Sequence, residues 1–283
     1  VELATKQAKS ILTAQRSGFL ASGPYPFTHT LSAYTGCGFG ATTCGLYCYA
    51  QFMPNWGFHF KDKTWGSFVE AKENAPDLLA KALGQMTSAR RRSLRIFMSS
   101  STDPYQPLET KLGLTRACLE VFRSFRDLDL LVIQTRSPSV VRDFDLIAEI
   151  PYAWLSMTIE TDDQELLRTM RGGPPLAKRF ACIREASERG IASQITVSPC
   201  LPFSSDFAPK LLGSGANRIV VDTCIDGDGS GGQRTARSLY PDFNPAWRDQ
   251  EAPKRLFEEL GSLGANVGWS TQGFSGIPPR SRS

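Results

Sequence analysis

The stretch Thr35-Gly36-Cys37-Gly38-Phe39-Gly40-Ala41-Thr42-Thr43-Cys44-Gly45-Leu46-Tyr47-Cys48-Tyr49-Ala50 directly follows a strand-like run, His29 to Tyr34, and decides how the rest of the chain is read. Three cysteines fall within twelve residues, spaced by Gly and Thr that let backbone wrap tightly, so their thiolates can face one soft metal centre. Four-iron clusters take four ligands; three supplied locally leave one iron with an open position for an external molecule. Two plainer readings stay open on the residues alone. A structural zinc site asks for a fourth Cys or His nearby, and the only histidines are His29 and His59. Three unrelated buried cysteines are the other.

Outward from this loop, short apolar runs alternate with longer segments of helical period, the signature of β/α units around a parallel sheet. Candidate strands are His29 to Tyr34, Leu94 to Ser99, Leu128 to Thr135, Ala153 to Ile159, Gln194 to Ser198 and Arg218 to Asp222. Helical patterns cover Trp65 to Met86, Leu112 to Phe125, Asp163 to Met170, Leu176 to Arg189 and Ala252 to Leu263, with Asp162 and Glu165 as a capping box for the third. Six such units predict an α/β fold, a partial (β/α)6 TIM-like barrel, with chemistry at the carboxyl ends of the strands. One domain is expected over residues 1–283, its core at about 28–225 and a C-terminal segment, 226–283, covering the barrel mouth. The loop Asp226 to Gln233 begins like a calcium loop, with Asp226, Asp228, Ser230 and Gly231, but Arg237 stands where a bidentate Glu belongs, which argues against calcium.

The 283 residues, 41% hydrophobic, can bury one large core. A net charge of +4 permits an acidic partner such as nucleic acid without requiring one. No run of about 18 apolar residues and no secretory leader pattern is present, so a soluble, cytoplasmic chain with no membrane partner is expected. Seven cysteines are too few and too unevenly placed for a disulfide scaffold. Cys118 and Cys182 fall on apolar helix faces and read as core. Arg90, Arg91 and Arg92 precede the second strand and read as solvated surface; a nucleic acid would engage the mouth, with Arg280 and Arg282 as further candidates.

The runs Leu31-Ser32-Ala33-Tyr34-Thr35-Gly36-Cys37 and Cys44-Gly45-Leu46-Tyr47-Cys48-Tyr49-Ala50 resemble the cluster loop of the radical S-adenosylmethionine (SAM) superfamily, particularly the group similar to spore photoproduct lyase. Thr102-Asp103-Pro104-Tyr105-Gln106-Pro107-Leu108-Glu109 and Ile133-Gln134-Thr135-Arg136-Ser137-Pro138 are similar to further runs of that group, and the matches keep their order from about Thr28 to Pro202. The spacing here is C-x6-C-x3-C where the family's is C-x3-C-x2-C, and Gly38, Gly40 and Gly45 are placed to absorb the extra length. The match thins from the fourth strand onward and is lost after Pro202.

The resemblance implies a [4Fe–4S] cluster held by Cys37, Cys44 and Cys48, and S-adenosyl-L-methionine on the open iron. Reductive cleavage then gives a 5′-deoxyadenosyl radical that abstracts hydrogen from an organic substrate, with an electron donor such as a flavodoxin or ferredoxin. It places Tyr47 near the SAM adenine and Ser99, Ser100, Ser101 and Thr102 at the methionyl amino group. Ser156 and Glu160 share a face of the fourth strand and would meet the ribose hydroxyls. Arg168 or Arg171 would pair with the SAM carboxylate, or form a solvated helix face. Cys200 and Cys224, just past the fifth and sixth strands, are candidate hydrogen-atom donors or buried structural thiols, and Tyr105 and Gln106 either reach the substrate or shape their loop. The expected function is radical modification, lyase-like or otherwise, of a small metabolite, natural-product precursor or peptide. The alternatives are DNA photoproduct lyase-type repair and a non-catalytic zinc or Fe–S protein.

Overall fold

The computed structural model of the protein describes residues 1–54, 56, 60 and 62–281. In chain order its strands are β1 (Glu2–Lys6), β2 (Leu12–Ala14), β3 (His29–Leu31), β4 (Tyr34–Thr35), β5 (Phe68–Lys72), β6 (Arg95–Met98), β7 (Leu130–Thr135), β8 (Ala153–Thr158), β9 (Ser193–Val197), β10 (Arg218–Val221) and β11 (Val267–Trp269). Eight form one sheet in the order β11-β10-β9-β8-β7-β6-β3-β2, parallel except for β2, which runs antiparallel to β3. No pairing joins β11 to β2 among the described residues, so the barrel stays open. The architecture is the α/β partial barrel that the alternating pattern predicts, with β11 as a seventh parallel strand beyond the six read from sequence.

Two segments depart from expectation. The run His29 to Tyr34 is not one strand: β3 ends at Leu31, and Tyr34–Thr35 pairs instead in a second sheet, ordered β1-β5-β4. Trp65 to Met86 is not one helix, because Phe68–Lys72 extends to pair with β1, and only Ala75–Gly84, opened by Pro76, is helical. The capping expectation also shifts by one residue. Asp163 caps the helix Gln164–Thr169 by accepting from the Glu165 and Leu166 amides, while Asp162 turns away to hold Ser204 and Lys210.

Period two along the strands divides the barrel into an outer and an inner face. Ile96, Met98, Leu131, Ile133, Leu155, Met157, Ile195 and Val197 point outward into the main core. There they meet helix Leu114–Ser124, which buries Thr115, Cys118, Leu119 and Phe122, and helix Leu176–Glu188, which buries Cys182 and Ile183. Phe97, Leu130, Val132 and Val220 point inward, where Phe27, Phe274 and Ile277 cover them. The C-terminal segment therefore does two things. Residues 227–234 lie at the mouth, whereas Ser270–Phe274 and Ile277 plug the inner face, and Arg280 reaches Asp129 at the amino ends of the strands. No helix among the described residues is long and apolar enough to cross a membrane.

Candidate active site

The barrel encloses a cavity of about 370 Å³ at the carboxyl ends of its strands. Cys37, Cys44 and Cys48 all line it. The loop brings them together through local turns: a 3-10 turn at Gly38–Ala41, then a helical turn at Cys44–Tyr47 closed by the Cys48 amide on the Cys44 carbonyl at 2.9 Å. A Cβ on Gly45 would sit 1.7 Å from the Gly40 carbonyl oxygen, so only glycine lets the two turns stack. Thr43 anchors the loop from below, its hydroxyl donating to the Leu167 and Met170 carbonyls at 2.9 and 2.8 Å.

Burial and the charge of Asp103 push the Cys37 thiol up to about 12. A hydrogen bond shared with Cys48 pulls the Cys44 thiol below its ordinary value, with help from Arg136, and pushes Cys48 the other way. Buried thiols of this kind ionise only against a strong positive charge, as metal ligands do. A four-iron cube takes thiols spread around a cavity; no fourth Cys or His among the described residues lines this one. The donor set fits a cluster with one corner left to an exchangeable ligand.

Ser99, Ser100, Ser101 and Thr102 line the cavity where β6 ends, as expected from their position. Ser99 holds a left-handed φ of 66°, rare outside glycine, and its amide donates to the Leu31 carbonyl at 2.7 Å. Tyr49 donates its hydroxyl to the Ser100 carbonyl, tying the cysteine loop to this strand end. Tyr47 is buried below the loop, where its hydroxyl donates to Glu160 Oε1 at 3.2 Å and accepts from Arg136 Nη1 at 3.1 Å. Glu160 is engaged at both oxygens, by Arg136 and Tyr47 on one side and Arg179 at 2.5 Å on the other. Burial pushes its carboxyl up, but the Arg179 and Arg136 charges outweigh that and hold it below the usual range. Tyr47 and Glu160 thus support the site from behind and do not line the large cavity.

Other candidates lie elsewhere. Ser156 is a link in a hydrogen-bond ladder on the inner face. Arg168 sits in solvent on Glu165 at 2.9 Å, because its helix turns that face outward. Arg171 is likewise exposed and off the cavity; the segment that carries both arginines meets the cysteine loop through backbone, Thr43 N–H donating to the Gly172 carbonyl. Tyr105 is buried in the main core, under the Arg142 guanidinium, facing away from the cavity. Gln106 shapes the loop by accepting from the Gly38 amide at 2.8 Å. Cys224 lines a smaller cavity of about 100 Å³ beside Cys44 and Cys48, and Cys200 lies outside both. His29 faces Thr28, away from the thiols; His59 and Arg282 lie outside the described residues.

Sequence reasoning missed Arg136, Asp222 and Arg234, all of which line the large cavity. Arg136 and Asp222 each follow a strand's carboxyl end and were open to that rule; Arg234 lies in the short helical turn Gln233–Ala236 that closes the 226–233 loop and gave no signal. Asp228, in the same loop, accepts from the amides of Ser230, Gly232, Arg234 and Thr235, so it closes a turn and is not arranged for calcium.

The family model described as the radical SAM superfamily matches residues 32–206, the span from the cysteine loop past β9. This chain belongs to the radical SAM superfamily. An uncharacterised protein of Methanocaldococcus jannaschii is 31% identical over 175 residues, 62% of this chain and 61% of that relative. The radical SAM fold here is also that of spore photoproduct lyase structures. A variant with bound AdoMet and dinucleoside spore photoproduct superimposes with a TM-score of 0.59 at 14% identity, covering 95% of this chain and 81% of the other. A Tyr-to-Phe variant gives 0.61 at 12% identity with the same coverage. Membership implies an enzyme that uses a [4Fe–4S] cluster and SAM.

Proposed function

We propose that this radical SAM enzyme abstracts hydrogen from a small organic molecule held inside the barrel: a metabolite, a natural-product precursor or a peptide segment. The observation that carries the reading is the single cavity shared by Cys37, Cys44, Cys48 and the strand-end residues Ser99 to Thr102. When bound, the cluster and SAM supply reductive cleavage to a 5′-deoxyadenosyl radical. The chain's own residues position and shield. Ser99 to Thr102 offer hydroxyls and backbone acceptors to an ammonium. Phe19 and Leu20 from the N-terminal segment, with Trp65 and Phe274, wall the cavity with apolar surface and limit water.

The charge pattern favours a small substrate over a DNA strand. Among the described residues the basic and carboxylic side chains at the cavity are Arg136 and Arg234 against Asp103, Asp222 and Asp228, which is no basic footprint for phosphates. Of the two tail arginines considered for nucleic acid, Arg280 lies at the opposite end, where it holds the Leu128 carbonyl, and Arg282 lies outside the described residues.

Anaerobic reconstitution with iron and sulfide tests the reading. A brown protein that forms 5′-deoxyadenosine from SAM and dithionite is expected. A colourless protein holding one tightly bound zinc overturns it, and tight, salt-sensitive binding to a short lesion-containing duplex replaces the small substrate with DNA.

A further inference from the structure

The inner face of the barrel carries a row of polar side chains that the chemistry above does not use. Gln134, Ser156, Gln194 and Arg218 are register partners across β7, β8, β9 and β10, so they lie side by side on one line. Thr158 and Thr196, themselves register partners, form the next line toward the mouth. Arg218 Nη1 donates to Gln194 Oε1 at 3.1 Å, Gln194 Nε2 to Ser156 Oγ at 2.8 Å, and Ser156 Oγ to Gln134 Oε1 at 2.6 Å. Gln134 Nε2 then donates to both Thr158 Oγ1 and Thr196 Oγ1, at 2.8 and 3.0 Å.

The direction of this chain is forced. A guanidinium can only donate, so Gln194 must present its oxygen to Arg218 and its NH₂ to Ser156. Ser156 then has only its own hydrogen to give, which requires the Gln134 oxygen, and both Gln134 hydrogens go to the threonines. Those two hydroxyls stand 3.3 Å apart, so one donates to the other and one hydrogen is left over. Both threonines line the cavity, and Thr158 keeps 6% of its surface exposed where Thr196 keeps none, so Thr158 is the better placed of the two to offer the spare hydrogen. Arg218 is buried on two neutral acceptors, Gln194 Oε1 and the Gly273 carbonyl, with no carboxylate partner among the described residues, and its charge polarises each successive bond in the same sense.

We infer that the Thr158 hydroxyl is a specificity-determining hydrogen-bond donor for a neutral carbonyl oxygen on an otherwise apolar substrate. This rests on the small-substrate reading of the same cavity. Phe97 and Phe274 line the cavity on the same inner face and supply the apolar wall. Only one hydrogen is on offer, and Arg136, the guanidinium nearest in register, is already held by Glu160 and Tyr47, so a carboxylate would be buried with an oxygen unpaired. A ketone, amide, ester or lactam carbonyl meets the donor without that penalty.

The test uses reconstituted protein with SAM bound, titrated calorimetrically at pH 8 with three neutral or anionic probes of one size: 4-phenyl-2-butanone, 4-phenyl-2-butanol and 3-phenylpropionate. Wild type is expected to bind the ketone at least about tenfold more tightly than the carboxylate. Gln134→Glu keeps the shape and still accepts from Ser156, but it now accepts from Thr158 and Thr196 as well, which reverses the last link of the chain and turns a lone pair toward the cavity. The ketone-to-alcohol affinity ratio is then expected to fall about tenfold, because the alcohol can donate as well as accept. An unchanged ratio in a Gln134→Glu protein that melts like wild type overturns the inference. So does a wild type that binds carboxylate as well as ketone, or that binds no ketone, neither of which depends on the variant folding. Formation of 5′-deoxyadenosine in the same samples reports separately on the radical SAM reading. If it forms and the ratio stays put, only the carbonyl inference fails; if it does not form, the enzymatic reading fails whatever the probes do.

Discussion

Asp222 follows β10 at the carboxyl end of the barrel and is completely buried. It accepts from the Thr223 amide at 2.9 Å and from the Ser198 hydroxyl at 3.2 Å, and no cation pairs with it among the described residues. Burial without a counter-charge pushes its carboxyl up to about 7. In the unfolded chain an aspartate ionises near 4. Between those values the folded protein binds the extra proton, so stability falls as pH rises from about 4 through about 7 and levels off above. A difference of about three pH units corresponds to about 4 kcal/mol at most, of which about 3 kcal/mol is lost between pH 5 and pH 8. Asp222→Asn keeps the size, still accepts from the Thr223 amide, donates its NH₂ to the Ser198 hydroxyl oxygen in place of accepting from it, and removes the titration. Urea unfolding of wild type and variant, prepared identically so that cluster loss cancels, is expected to show the variant gaining about 3 kcal/mol on wild type from pH 5 to pH 8. Parallel pH profiles would refute the reasoning, because they would mean that Asp222 already finds a compensating charge in the folded state.

Two substitutions probe the surroundings of the thiols. Gly45→Ala places a methyl within 1.7 Å of the Gly40 carbonyl oxygen, so the stacked turns must open; loss of iron and sulfide on reconstitution is expected, with the circular dichroism of the barrel unchanged. Glu160→Gln leaves the buried Arg179 and the half-buried Arg136 without their shared counter-charge, and a loss of about 3–5 kcal/mol is expected in urea unfolding, since breaking a buried pair strands the charge that remains. A loss below about 1 kcal/mol would mean that water or another group already screens them.

The parts of this fold that were legible in the sequence are those whose pattern is local. Helix Leu114–Ser124 buries positions 115, 118, 119 and 122, a stripe visible at a glance, and the central strands are short apolar runs. What escaped depends on partners distant in the chain. β1 is polar and mostly exposed and becomes a strand only because β5 lies beside it, and β5 was hidden in a helical-looking stretch for the same reason. β11 is three residues with a central glycine, too short to read alone. At the site, the cysteines were found because they share one loop. For Arg168 and Arg171 a solvated helix face stayed open because spacing alone does not tell which way a helix face turns, whereas the rule about strand ends points at residue 136. The inner ladder was beyond reach, since Gln134, Ser156, Gln194 and Arg218 are neighbours only through the register of four strands.

The lengthened cysteine spacing shows how a loop can change length and keep its geometry. The extra residues of the first gap are taken up as a complete turn, Gly38–Ala41, and not as slack. That turn is held at both ends: Gln106 accepts from the Gly38 amide, and the Thr42 hydroxyl and amide both donate to the Phe39 carbonyl, at 2.7 and 2.9 Å. It is also packed from outside, since a Cβ on Gly40 would meet Trp65 at 2.6 Å. A floppy insertion would cost cluster affinity through the entropy of ordering it each time the thiols gather. A folded turn has that entropy already spent, so Cys37 returns to the same cavity as Cys44 and Cys48 in spite of the added length. The spacing of ligands along a chain is therefore a weaker constraint on a cluster than the packing of the backbone between them.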